Sequence, residues 1–215
     1  MRLPIALGAL RLSVVCCLSG PVEDYAATIS PLIDPAKLST LGNRGANQRV
    51  RKYVYWLGMA RTDKLDPRKV AVEAVHVAGY KGEAAAMTIT AMMRNLDIAT
   101  QLACFDADGQ SEMKKGNSPT IRRGPYYGQE LSTDHIIPFA VCPELDCTIA
   151  NLELMPLRMN SDKRAKIGER QMDLAAKLNK AGLLSAKGLN AERPESKFLS
   201  VIKELPTRKD ITLCF

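Results

Sequence analysis

Two stretches decide how this chain folds: Glu130-Leu-Ser-Thr-Asp-His-Ile-Ile-Pro138 and Ile149-Ala-Asn-Leu-Glu-Leu-Met-Pro-Leu-Arg-Met-Asn-Ser-Asp-Lys-Arg164. In the first, Leu131, Thr133 and Ile136-Ile137 form a strand-like run that Pro138 ends. In the second, Leu152 and Leu154 alternate with Asn151 and Glu153, which predicts another short strand before Pro156. From Arg158 the period lengthens. Ile167, Leu174, Ala175 and Leu178 fall on one face of a helix that closes near Gly182. Strand, loop, strand, helix is the predicted order.

The polar residues in these stretches carry the chemistry. Asp134 directly precedes His135, Asn151 opens the second strand, Asn160 stands nine positions further on, and Lys163 follows it by three. This pattern resembles the HNH nuclease motif, the ββα-metal module shared by colicin DNases, homing endonucleases and RNA-guided CRISPR nucleases. His135, Asn151 and Asn160 occupy the three signature positions, and Asn at the third is a common variant. The resemblance is confined to this segment. It implies an α+β, mainly helical protein with a ββα-metal core and an N-terminal helical domain. It also implies that His135 and Asn151 serve catalysis, His135 as general base and Asn151 by tying the loop through backbone hydrogen bonds so that the imidazole stays oriented. Asp134 and Asn160 would hold the metal.

Elementary chemistry agrees with those roles. Phosphodiester hydrolysis needs an activated water, countercharge for the transition state and help for the departing oxygen. Imidazole is the side chain suited to accept a proton near neutral pH. Asp134 and Asn160 offer oxygen donors, which suit Mg²⁺, or Mn²⁺, better than Zn²⁺, and two protein ligands completed by water and phosphate are normal for Mg²⁺. Neighbours on a strand point to opposite faces, so Asp134 and His135 can serve one phosphate only where the strand ends. Lys163, Lys166, Arg170 and Lys177 share an arc of the predicted helix, a ridge able to track phosphates, with Lys163 or Arg164 in reach of the scissile group. The plainer reading makes Asp134 a cap, His135 a core histidine, Asn160 an N-cap and the ridge a solvated face.

The expected function is a metal-dependent endonuclease acting on nucleic acid, DNA before RNA. The alternative is a non-catalytic nucleic-acid-binding or partner-binding protein on the same scaffold. The 215 residues are 46% hydrophobic and 25% charged, which excludes a disordered polymer, a collagen-like repeat and a polytopic membrane protein. Thirty Lys and Arg against 23 Asp and Glu leave +7, a bias toward an anionic partner. One Trp, four Phe and six Tyr are too few for a base-stacking platform.

Upstream, Val50, Tyr53, Val54 and Leu57 mark one helix, and Asp66-Pro67 opens a second through Val70, Ala74, Val75 and Ala78 to Gly79. A third runs from about Gly82 to Ala103 with methionines as core filler. His76, in Ala-Val-His-Val-Ala, reads as a buried histidine. Asp106-Ala-Asp-Gly109 reads as a turn, since Asn117 stands where a calcium loop needs Glu. The expected division is 28–118 helical domain, 119–184 nuclease core and 185–215 C-terminal helix and tail.

Residues 1–20 resemble a secretory signal: a basic start, a short apolar stretch interrupted by Arg11, then Ser19-Gly20-Pro21. An exported protein, periplasmic or secreted and not inserted in a membrane once the signal is removed, is expected, with a cytoplasmic chain as the alternative. Cleavage there would leave Cys104, Cys142, Cys147 and Cys214, for which a Cys142–Cys147 bridge with Cys104 meeting Cys214 competes with other pairings and with free thiols. No Cys-x-x-Cys pair calls for a structural zinc.

Overall fold

The computed structural model describes residues 20–163, 165 and 167–191. All of the candidate signal but Gly20, with Cys16 and Cys17, and also Cys214, Arg164, Lys166 and the tail beyond 191, lie outside them.

Helix starts follow local capping chemistry. α1 (Pro21–Ile33), α2 (Pro35–Leu38) and α4 (Pro67–Val77) each begin with proline, whose absent N–H is one the first turn leaves unpaired anyway. Asp34 and Asp66 accept backbone N–H groups from Ala36 and Arg68, both at 2.9 Å. α3 (Ala46–Thr62) buries the predicted stripe of Val50, Tyr53, Val54 and Leu57. Gly58 on this helix admits the Phe105 ring, which would lie 2.0 Å from any Cβ placed there. α5 (Gly82–Gln101) buries Met92, Asn95 and Leu96.

Two local expectations are corrected. Asp106 does not merely turn the chain; it caps α6 (Ala107–Lys115), accepting Gly109 N–H at 2.7 Å. That bond, aided by Arg122 Nε at 2.7 Å, holds its carboxyl below the usual range. His76 is not buried. α4 turns Val70, Ala71, Ala74 and Val75 inward, so His76 falls on the wet face with its side chain 82% exposed.

β1 (Leu131–His135) and β2 (Leu152–Pro156) form an antiparallel pair in the register Ser132 with Met155, Asp134 with Glu153 and His135 with Leu152. β1 ends at His135, earlier than the apolar run suggested, and an isolated bridge joins Thr120 to Glu130. One face of the pair carries Leu131, Leu152 and Leu154 into the same apolar cluster as Val50, Leu57 and Leu96. Residues of the helical front half and of the strands therefore share one apolar cluster. The open edge of β2 is covered by the Asn95 side chain. Its Nδ2 donates to Leu152 O at 3.1 Å and its Oδ1 accepts Leu154 N–H at 2.9 Å, a rung that imitates a neighbouring strand.

The single long helix expected after Arg158 is two, α7 (Leu157–Lys163) and α8 (Glu169–Lys180), because Gly168 sits in extended backbone between them. The basic ridge is broken with it. α8 joins Ile137, Cys142, Leu145 and Leu184 in a second, smaller cluster, and α9 (Ala186–Ala191) follows. Cys142 and Cys147 are both thiols, not a bridge. The 3-10 turn Pro143–Leu145 sends Cys142 into the second cluster and Cys147 against the first. Among the described residues no helix is long and apolar enough to cross a membrane.

Candidate active site

α7 lies against β1 so that two rungs form. Asn160 Nδ2 donates to Ser132 Oγ at 3.1 Å, and the Lys163 ammonium donates to both the Asp134 carboxylate and the His135 carbonyl. Ser132 and Asp134 share a strand face and Asn160 and Lys163 share a helix face, so Asp134 and Asn160 are brought to the same seam. Lys163 is drawn inward, its side chain 18% exposed, and is not on a solvent ridge. With its amide nitrogen on Ser132, Asn160 keeps Oδ1 as a donor atom.

The Asp134 carboxylate and His135 carbonyl already hold a cation, the chain's own ammonium, and every donor there is a hard oxygen. That chemistry fits Mg²⁺ or Mn²⁺, which need few protein ligands. Among the described residues no group of three or more His, Cys, Asp or Glu gathers for a metal.

The His135 imidazole leaves the strand on the opposite face from Asp134, and His135 is the last residue of β1. The ring is buried but polar in its contacts: Nε2–H donates to Asp146 Oδ1 at 2.9 Å and to Asp146 O at 3.0 Å. Both partners only accept, so Nε2 carries the proton and Nδ1 is the basic nitrogen. Phe139 stands beside it, ring centroids 6.4 Å apart.

Asn151 sits behind the loop, fully buried. Its Oδ1 accepts Ile137 N–H at 2.8 Å, and its Nδ2 donates to Ile137 O at 3.1 Å and Leu145 O at 3.4 Å. It pairs with the backbone just past His135 in the way one strand pairs with another.

Sequence reasoning missed Asp146, Glu153 and Arg94. Glu153 reads as outward in the alternation, yet it is buried directly across from Asp134. Two carboxylates facing each other across strands repel unless cations intervene. Lys163 serves Asp134, while Arg94 Nε at 3.1 Å and Arg170 at 2.6 Å serve Glu153. Burial lowers the pKa of the Arg94 guanidinium, and Glu153 opposes that shift. Arg170 is therefore pinned to a carboxylate, while Lys177 stays exposed; together with Ile136 they line a shallow cleft beside the strand end, where Glu169 and Asp173 offset their charge. An acidic residue in a strand facing two arginines from other helices has no local signature.

Comparisons with protein-family models, with curated proteins and with solved structures returned no match.

Proposed function

We propose that this chain is a divalent-metal-dependent endonuclease of the ββα-metal (HNH) type, cleaving phosphodiester bonds of nucleic acid, DNA first. The observation that carries the reading is the seating of α7 on β1. It sets Asn160 and Asp134 on one oxygen-lined seam, with a tautomer-defined imidazole at the end of the same strand. Asp134 and Asn160 would hold Mg²⁺ or Mn²⁺, which when bound neutralises charge on the phosphate. His135 Nδ1 takes the proton from the attacking water. Asn151 keeps the backbone after His135 in place. Arg164 and Lys166 are the proposed contacts to phosphate oxygens, since Lys163 and Arg170 are engaged by Asp134 and Glu153.

The purified chain is expected to nick supercoiled plasmid in Mg²⁺ and to stop when EDTA removes it. Equal cutting with EDTA, or none in Mg²⁺ and Mn²⁺, would refute the reading. Lys163 adds a second expectation. Its ammonium competes for Asp134, so Lys163→Met is expected to bind Mn²⁺ about 10-fold more tightly by calorimetry, the equivalent of roughly 1.4 kcal/mol. An unchanged or weaker affinity contradicts the assignment of Asp134 as ligand.

The placement of Lys163 on Asp134 and the burial of His135 favour one rival: a non-catalytic nucleic-acid binder on this scaffold. Steeply salt-dependent DNA binding without metal-dependent cutting would select it. Export to the periplasm or beyond is proposed on residues 1–20 alone and is read by N-terminal sequencing of the mature chain.

A further inference from the structure

Resting on the nuclease reading above, we propose that Asp146 is the positioning residue of the base, holding the His135 ring in the tautomer that leaves Nδ1 free to accept a proton. Asp146 comes from the loop, at the end of the 3-10 turn Pro143–Leu145, and is buried. A carboxylate taken out of water persists where donors satisfy it. Here Oδ1 accepts His135 Nε2–H at 2.9 Å, and Oδ2 accepts Arg44 N–H at 2.9 Å. Arg44 presents that amide from a left-handed conformation, φ 58°, which is uncommon for a residue with a Cβ. The Cys147 thiol also faces Oδ2, at 3.8 Å.

This arrangement needs a carboxylate rather than an amide. Both oxygens face N–H donors, so an asparagine must turn its NH₂ toward one of them and lose that contact. It also couples the two halves of the molecule. The segment ahead of α3 fixes Asp146 through Arg44, and Asp146 fixes the imidazole at the end of β1.

The proton balance is simple. The water proton moves to Nδ1 and the ring becomes imidazolium; the Nε2 proton stays on the ring, and Asp146 supplies the adjacent negative charge without being protonated. Asp146 O remains an acceptor when the side chain changes, so the tautomer is only partly lost on substitution and the effect stays below that of removing the base.

The test is a double-mutant cycle in single-turnover cleavage of plasmid with Mg²⁺. Asp146→Asn is expected to lower the cleavage rate about 30-fold, with KM within about 2-fold. In the His135→Ala background the same substitution is expected to change nothing further, because Asp146 acts through the ring. An unchanged rate in the single variant, or the same loss in both backgrounds, overturns the proposal and leaves the nuclease reading standing. A wild-type chain that does not cut overturns both. Should Asp146→Asn fail to fold, ¹⁵N spectra of the wild-type His135 ring still decide: a proton on Nε2 is expected, and one on Nδ1 overturns the assignment.

Discussion

Replacing His135 with alanine is expected to slow Mg²⁺-dependent plasmid cleavage about 10³-fold, within the range a positioned general base contributes. The substitution removes the imidazole proposed to accept the water proton, while Asp134 and Asn160 stay on their own face of β1. Folding should survive. The ring meets Asp146 and Phe139, and Arg44 N–H still occupies Asp146 Oδ2. The measurement is initial nicking rate at matched protein concentration, with melting temperature as the control for structure. Cleavage within about 10-fold of wild type in a folded variant removes His135 from the chemistry, since a base contributes at least about 10²-fold.

Asn151→Ala is expected to have the largest effect on stability. The side chain satisfies Ile137 N–H and Ile137 O inside the protein and adds a bond to Leu145 O, which Thr148 N–H also reaches; alanine offers none of these contacts. Each buried backbone group left unpaired costs about 1–3 kcal/mol. A loss of roughly 4 kcal/mol is therefore expected, read as a fall in the urea midpoint with little change in slope. Because Leu145 adjoins Asp146, the loosened loop should also release the imidazole. The two variants thus differ in balance: His135→Ala loses chiefly rate, with a smaller fall in midpoint from the donor lost to Asp146, whereas Asn151→Ala loses both. A midpoint for Asn151→Ala within about 1 kcal/mol of wild type, the worth of one ordinary hydrogen bond, would show that the loop closes without it.

Much of the α+β architecture is legible in local pattern. Asp66 caps a helix because a carboxylate before proline can accept the first free N–H groups, and the stripe on α3 is buried where its period places it. The two short strands are where Leu131 and Leu152 put them. Other elements are misread for identifiable reasons. His76 stands between valines, yet two of those neighbours lie on different helix faces: Val75 is buried and Val77 is 55% exposed. The run from Arg158 to Gly182 keeps a helical period across Gly168, and only the extended backbone there reveals two helices. The ridge of Lys163, Arg170 and Lys177 fails with that break, since α7 turns Lys163 to Asp134 and α8 brings Arg170 to Glu153.

What residue order alone determined is therefore the element types, the cap chemistry and the set of polar groups near the strand ends, all effects that act within a few residues of chain. Tertiary structure alone decided the partners: Asp146 for the imidazole, Arg94 and Arg170 for Glu153, Asn95 for the open edge of β2. Those contacts join segments that local periodicity does not relate. They exist because a buried charge or backbone amide must find its complement wherever packing brings one within hydrogen-bond distance.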